Sequence, residues 1–141
     1  MKTLSKFVLM IVALIGLSNT TSFATNYYVD PSSTSTTANG SLAYPWKTIA
    51  QVNSGTTLLN PGDSVFFKRG QSYSGRLTIS RSGSATAPIV YTNYGTGNLP
   101  EFNNAITDII NIYNKQYIVI NGIKIIDNSI STTDHTVQAK I

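Results

Sequence analysis

The chain carries three short apolar runs in close succession, Ile109-Ile110-Asn111-Ile112, Tyr117-Ile118-Val119-Ile120 and Ile123-Lys124-Ile125-Ile126. Asn114, Asn121-Gly122 and Asp127-Asn128 mark their ends, and Asn, Asp and Gly are favoured in turns. Strands and turns this short do not fit an ordinary β-sandwich, in which turns recur about every 8–12 residues. The stretch instead indicates one coil of a solenoid that contains three strands.

The spacing of the strand-like segments upstream favours the same architecture. The interval from Val65 to Ile89 is similar to the interval from Ile89 to Ile110. Both fall within the repeat length of roughly 20–50 residues that is typical of solenoids, in which each turn stacks its apolar residues on the next. Ser, Thr, Asn, Gly, Tyr, Ile and Val are abundant after Ala24, and these residues favour strands and turns. We therefore predict an all-β solenoid, with a small sandwich or jelly roll as the alternative.

Residues 1–24 have the order of a secretory signal peptide. Lys2 and Lys6 give a basic start, and an uncharged apolar run extends from Phe7 to Leu17. The small residues Ser22 and Ala24 then suit a signal peptidase. A membrane-spanning helix needs about 20 apolar residues, so the run is too short for an anchor. We predict cleavage after Ala24, and a mature chain that is secreted or held at the cell surface without spanning the membrane.

The composition of the mature chain, residues 25–141, limits its partners. It has no cysteine, so an apolar core or a bound metal must stabilise it outside the cell. Without Lys2 and Lys6, eight basic side chains face six acidic ones, a net charge of +2. This small charge is scattered along the sequence and does not indicate nucleic-acid binding.

Residues 25–60 differ from the repetitive part that follows. Tyr27-Tyr28-Val29 reads as a strand, and residues 30–41 read as a polar loop. Pro45 can open a short helix that places Trp46, Ile49 and Ala50 on one face. We predict that residues 25–60 form a strand, a loop and a short capping helix, and that residues 61–141 form the first coils.

The order of several motifs resembles the N-terminal region of secreted bacterial right-handed parallel β-helix proteins, the pectin-lyase-like group. The motifs are Tyr27-Tyr28-Val29-Asp30, Asn39-Gly40-Ser41, Pro45-Trp46-Lys47-Thr48-Ile49, Pro61-Gly62-Asp63-Ser64-Val65-Phe66-Phe67, Ala87-Pro88-Ile89-Val90-Tyr91, Asn93-Tyr94-Gly95 and Tyr117-Ile118-Val119-Ile120-Asn121-Gly122-Ile123. The resemblance covers about residues 27–126 and implies a β-helix whose first coil is covered by the short helix. The family includes polysaccharide lyases, glycoside hydrolases and non-catalytic surface proteins. Its catalytic residues and the Ca²⁺ ligands of its lyases usually lie on later coils.

Acidic side chains are the first candidates for catalysis, because glycoside hydrolysis uses two carboxyl groups roughly 5–10 Å apart. The acids of the mature chain are Asp30, Asp63, Glu101, Asp108, Asp127 and Asp134. Asp30 and Asp63 read as turn residues, whereas Asp108 and Asp127 flank the last coil and either approach each other or lie in solvated turns. His135 is the only histidine; Asp134 beside it would face the other side of a strand, and no zinc site is predicted. We assign no catalytic, cofactor-binding or metal-binding residue in this segment, and expect Ca²⁺ only if the whole protein is a lyase.

Basic and aromatic side chains are candidates for binding an extracellular polysaccharide. Lys68, Arg69, Arg76 and Arg81 occur near Tyr73, and they either line an external groove that binds an acidic polysaccharide or form a solvated face. The aromatic candidates for stacking on sugars are Tyr27, Tyr28, Tyr44, Tyr91, Tyr94 and Trp46. Such residues also pack in cores, and Trp46 is predicted to belong to the cap.

The last residues of the sequence, Val137-Gln138-Ala139-Lys140-Ile141, alternate like a strand and carry no capping segment, which favours a truncated solenoid. We expect the isolated segment 25–141 to be poorly soluble or to self-associate. The first functional hypothesis is the N-terminal segment of a secreted polysaccharide lyase or glycoside hydrolase, inactive alone. The alternative is a non-catalytic surface adhesin or carbohydrate-binding β-helix, and a third possibility is a segment that folds alone and only binds.

Overall fold

The computed structural model describes residues 23–104 and 108–127. The predicted signal sequence up to residue 22, and also Asp134 and His135, lie outside these residues. Within them, no helix has the length and apolar character needed to cross a membrane.

Short strands make up most of the regular structure of these residues. The strands are β1 (Asn26–Val29), β2 (Ser64–Lys68), β3 (Ser72–Ser74), β4 (Leu77–Thr78), β5 (Ile89–Tyr94), β6 (Glu101–Asn104), β7 (Ile110–Asn111), β8 (Ile118–Ile120) and β9 (Lys124–Asp127). Between β1 and β2 lie helix α1 (Ile49–Gly55) and a single 3-10 turn (Thr56–Leu58). The all-β prediction is confirmed in its coarser part: the described residues are mostly β, with one short helix.

All strand pairs in the three sheets are parallel. The first sheet has the order β1-β2-β5-β8, the second β3-β6-β9 and the third β4-β7. From β2 onward, β2, β3 and β4 therefore belong to the first, second and third sheets in that order. The order repeats with β5, β6 and β7, and it starts again with β8 and β9. Each strand pairs with the strand of the preceding round in the same sheet.

The observed register corrects the spacing inferred from the sequence. Ile89 pairs with Ile118 in the first sheet, whereas Ile110 pairs with Leu77 in the third. Ile89 and Ile110 are therefore not equivalent positions of two successive coils. The turns also differ in length, since the connection from β4 to β5 is longer than the one from β7 to β8. An apolar spacing alone does not show to which sheet a residue belongs.

The core lies between the three sheets. Successive residues of a strand point to opposite faces of its sheet, so every second side chain faces the core. Val65 and Phe67 of β2 are fully buried, while the residues between and beside them are half-buried. Phe67 contacts the rings of Tyr73 and Phe102 edge-on, with centroids 5.2 and 4.9 Å away, and those two rings stack at 5.2 Å. One ring from the first sheet and two from the second thus fill the centre.

Helix α1 begins later than the sequence predicted. Pro45 does not open it, because the next residue, Trp46, forms a parallel bridge with Val29. Thr48 is the N-cap, and its side chain accepts a hydrogen bond from the backbone N–H of Gln51. Ile49 and Val52 are the buried residues of the helix, whereas Ala50, predicted to share the apolar face, is exposed.

Candidate functional site

An aromatic cluster lies on the outer face of the first sheet. Tyr28 and Phe66 are register partners in β1 and β2, and both are half-buried. Their rings stack with centroids 5.4 Å apart and planes 19° apart. Tyr94, at the end of β5, meets Tyr28 edge-on at 5.2 Å and 81°. We call Tyr28, Phe66 and Tyr94 the outer aromatic cluster.

A partly buried ion pair borders this cluster. Lys68, the register partner of Tyr94, places its Nζ 2.7 Å from Oδ2 of Asp30. The hydroxyl of Ser32 donates to the other carboxylate oxygen at 2.6 Å. Burial by itself would raise the pKa of Asp30, but the hydrogen bonds from Lys68 and Ser32 outweigh it and lower the pKa below its ordinary value. Asp30 is therefore ionised at neutral pH and does not suit the role of a general acid.

The phenol of Tyr94 stays neutral across the physiological pH range. Burial raises the pKa of Tyr94 to about 12, and the negative charge of Asp30 adds to that shift. A neutral phenol both donates and accepts hydrogen bonds. The cluster therefore combines apolar ring surface with a neutral hydroxyl group and an adjacent ion pair.

A ladder of polar side chains orders the corner beside Tyr94. The side-chain N–H₂ of Asn93 donates to the carbonyl of Gly122 at 2.7 Å, and its Oδ1 accepts from Arg69 at 3.0 Å. The hydroxyl of Thr92 lies 2.6 Å from Oδ1 of Asn121. These contacts join the residues that follow β2 and β8 to the last part of β5, so they link three adjacent strands at one end of the first sheet.

The basic residues considered for either a groove or a solvated face do not form one cluster. Arg69 binds Asn93 and the carbonyl of Gly97. Arg76 pairs with Asp108 at 3.4 Å, and Arg81 donates to the carbonyl of Leu59 at 3.1 Å. Because short turns separate the strands of different sheets, these arginines lie at different corners. Tyr73, expected beside them, is buried instead, with its hydroxyl 3.1 Å from the carbonyl of Val29.

The candidate acids whose side chains are described all have partners. Asp30 pairs with Lys68, Glu101 with Lys124 at 2.8 Å, and Asp108 with Arg76. Asp63 accepts hydrogen bonds from the backbone N–H groups of Thr25 and Asn60. The side chain of Asp127 lies outside the described residues, and its backbone pairs with Asn104. Across residues 23–104 and 108–127, no three His, Cys, Asp or Glu side chains are placed to hold a metal ion.

The other aromatic candidates have different environments. Tyr27 stacks on Trp46, with ring centroids 5.1 Å apart, and Trp46 is buried. Tyr91 is also buried, whereas Tyr44 is exposed. Sequence reasoning missed Phe66 as a surface aromatic residue. The alternation of Val65, Phe66 and Phe67 along one strand is the signal that places the middle ring outside.

Comparison with known proteins defines a class of fold. No family model matches the chain, and no curated protein matches it. The structure is similar to part of the GH136 lacto-N-biosidase from Eubacterium ramulus, with a TM-score of 0.58 and 21% identity over 77% of this chain and 22% of that one. The selenomethionine derivative of that protein gives a TM-score of 0.57 and 21% identity over 77% of this chain and 21% of that one. The chain thus spans about a fifth of these structures, and it shares with them a β-rich fold of parallel sheets.

Proposed function

We propose that this chain is the N-terminal segment of a secreted right-handed parallel β-helix protein that acts on an extracellular carbohydrate. The observation that supports the proposal most directly is that consecutive strands join three parallel sheets in a fixed, repeating order. Stacked strands of this kind build solenoids with extended binding surfaces. The similarity to part of a glycoside hydrolase structure supports carbohydrate as the ligand class and favours a hydrolase over a lyase.

Export is part of this proposal. The basic start, the apolar run from Phe7 to Leu17 and the small residues Ser22 and Ala24 support a signal peptide. The position of Thr25 also supports cleavage after Ala24, because backbone pairing with β2 begins at Thr25 among the residues from 23 onward that the structure describes. The carbonyl of Thr25 accepts a hydrogen bond from the N–H of Ser64 at 2.9 Å. Removal of residues 1–24 leaves the whole of β1 in place.

The role proposed for this segment is binding and support rather than bond cleavage. The carboxylates of Asp30, Glu101 and Asp108 are paired with cations. A glycosidase needs one carboxyl group that gives up a proton and a second that stays available to the sugar or to water. The acid and base of the whole protein are therefore proposed to lie elsewhere in it.

The outer aromatic cluster favours a second candidate, a carbohydrate-binding surface without catalysis, as in an adhesin. Aromatic rings bordered by hydrogen-bonding groups are common in ligand sites. The ring of Tyr28, the hydroxyl of Tyr94 and the Lys68–Asp30 pair occupy one face of the first sheet. This face is available whether or not the whole protein cleaves its ligand.

The test is secretion of the chain from a bacterial host, followed by glycan binding on a panel of neutral and uronate-containing oligosaccharides. We expect binding, and we expect Phe66→Ala to weaken it about tenfold. Tyr44→Ala, which changes an exposed ring outside the cluster, should leave it unchanged. Equal binding by both variants would count against the outer aromatic cluster. For the whole protein, release of new reducing ends supports a hydrolase, unsaturated products a lyase, and binding without products the adhesin.

A further inference from the structure

Asp63 is a buried carboxylate whose described partners are backbone amides. Its exposed fraction is 1%. Oδ1 accepts a hydrogen bond from the backbone nitrogen of Thr25 at 2.7 Å, and Oδ2 accepts one from that of Asn60 at 2.8 Å. The ion pairs found in the described residues involve other acids. Burying a carboxylate is costly unless hydrogen bonds or an opposite charge compensate it.

Both groups in this contact are held in place by the first sheet. The carbonyl of Thr25 accepts from the N–H of Ser64 at 2.9 Å, and the carbonyl of Asp63 accepts from the N–H of Val90 at 3.1 Å. The N–H of Asp63 also donates to the carbonyl of Asn60 at 3.1 Å. The contact between Thr25 and Asp63 thus joins two backbone positions fixed by strand pairing and a turn.

Thr25 is also the residue that becomes the N-terminus under the proposed export. Hydrolysis breaks the bond between the carbonyl carbon of Ala24 and the nitrogen of Thr25. Water adds its oxygen to Ala24, which leaves as a carboxylate, and the Thr25 nitrogen gains two protons and becomes an ammonium group. The nitrogen that already donates to Asp63 then carries a full positive charge.

We propose that the α-ammonium group of Thr25, created by signal-peptide cleavage, forms an ion pair with the buried carboxylate of Asp63 and locks the first strand of the mature protein. This inference rests on the proposed export and cleavage after Ala24. In the precursor the same nitrogen is a neutral amide that donates to the carboxylate. Cleavage makes the donor positively charged as well, so Coulomb attraction between two opposite charges is added to the hydrogen bond. Processing therefore stabilises the fold only after the chain has been exported.

The surroundings of the pair are consistent with a local charge effect. Tyr27 of β1 is the titratable neighbour on which Asp63 acts: burial raises the pKa of Tyr27, and the negative charge of Asp63 raises it further. Asn60 and Val90, from the preceding turn and from β5, contribute backbone groups without charge. Phe23 is 84% exposed, and Ala24 is exposed as well, so the residues next to the proposed cleavage point lie at the surface.

The test compares two chains secreted from the same full-length gene. One is the natural sequence, and the other carries Gly-Ser inserted between Ala24 and Thr25, which keeps the cleavage point but returns the Thr25 nitrogen to an amide. Both mature proteins have the same net charge, so they differ in the position of the ammonium group and in the two small added residues. N-terminal sequencing first establishes the cleaved bond. The melting temperature is then measured at pH 6 and at pH 11, with and without Asp63→Asn.

We expect the natural mature chain to melt about 3–6 °C above the Gly-Ser chain at pH 6. A carboxylate raises the pKa of a neighbouring amine, so this advantage is present below the ordinary amine pKa of about 7.7–8.0 and is lost as pH rises through the raised value. Asp63→Asn should abolish it. If Asp63→Asn does not fold, slower labelling of the Thr25 amine than of the Gly-Ser amine by an α-amine-selective aldehyde tests the pair in the unmutated background.

The possible failures are distinguishable. Cleavage at a bond other than Ala24–Thr25 overturns the export site and the ion pair with it. Cleavage at that bond with equal melting temperatures and equal labelling rates overturns the ion pair alone and leaves the proposed export intact. The natural chain could also melt above the Gly-Ser chain when both carry Asp63→Asn. The difference would then not come from Asp63, and this result also contradicts the inference.

Discussion

Gly55 lies directly against the indole of Trp46. A Cβ atom added to Gly55 would be 2.6 Å from both Cε2 and Cη2 of that ring, and closer still to Cζ2. Tyr27 stacks on the same indole, with planes 4° apart. The end of α1, the first strand and the loop between them therefore meet at one buried ring, and the absence of a side chain at Gly55 is what allows it.

This contact reverses the usual effect of a helical Gly→Ala change. Gly55 has ordinary helical angles, with φ −69° and ψ −37°, and Ala in that conformation normally stabilises by about 0.5–1 kcal/mol. Here the added methyl group overpacks the indole, so Gly55→Ala should destabilise by about 1–3 kcal/mol, measured by urea unfolding. Ser54→Ala, at the exposed neighbouring position, is the control and should stay within about 0.5 kcal/mol. A neutral or stabilising Gly55→Ala would contradict the observed packing.

The Asp30–Lys68 pair predicts a loss of stability in acid. Although burial opposes it, the hydrogen bonds from Lys68 and Ser32 lower the pKa of Asp30 in the folded protein. Its stabilising contribution is therefore present above the unfolded pKa of about 3.9 and is lost as pH falls through the lower folded value. Asp30→Asn should cost about 1 kcal/mol at pH 7 and much less at pH 2, by chemical denaturation at both pH values.

Glu101→Gln provides the matched control for that measurement. It also removes one negative charge and breaks a lysine pair, but the Lys124 side chain in that pair is 55% exposed, so we expect a change within about 0.5 kcal/mol. If the two variants lose stability equally at pH 7, the Asp30–Lys68 pair stabilises the fold no more than the more exposed Glu101–Lys124 pair does.

The half-buried Tyr94 predicts a second loss of stability in alkali. Burial, followed by the charge of Asp30, raises the pKa of Tyr94 to about 12, whereas an unfolded tyrosine titrates near 10. Unfolding therefore releases a proton between these values, and stability falls as pH rises above about 10. Tyr94→Phe should reduce the slope of that fall, while Tyr44→Phe, at an exposed ring, should not. Identical slopes for the two variants would show that Tyr94 titrates like an exposed tyrosine.

The strands were largely predictable, and the pairing between them was not. Alternation in Val65-Phe66-Phe67 is enough to place two side chains inside and one outside, as observed. The spacing between Ile89 and Ile110, by contrast, joined residues of different sheets, because unequal turns separate the strands. The beginning of α1 was also missed, since Pro45 suits a helix locally but the backbone of Trp46 pairs with β1. Local sequence preferences do not predict this pairing between residues that are distant in the sequence.

The candidate site shows the same division between local and long-range information. Aromatic and acidic residues could be selected from the sequence by type. Only the fold shows that Tyr28 meets Phe66 and Tyr94, because these residues are far apart in the sequence and meet through strand register. Asp63 likewise reads as a turn residue, which it is, but its contact with Thr25 depends on the pairing of β1 with β2.

The proposed function depends most on the proposed winding of the chain into successive parallel coils. Disulfide formation can test this winding, because the chain has no cysteine of its own. Ser64 pairs with Val90, and Val90 pairs with Val119. Adjacent strands lie about 4.8 Å apart, within the Cα separation of about 4.4–6.8 Å that disulfides require. The variants Ser64→Cys/Val90→Cys and Val90→Cys/Val119→Cys should therefore oxidise to intrachain disulfides, detected by mass spectrometry of unreduced peptides. The offset pair Ser64→Cys/Thr92→Cys should stay reduced, and the coil order would be contradicted if the offset pair oxidised as readily as the register pairs, or if the register pairs did not oxidise.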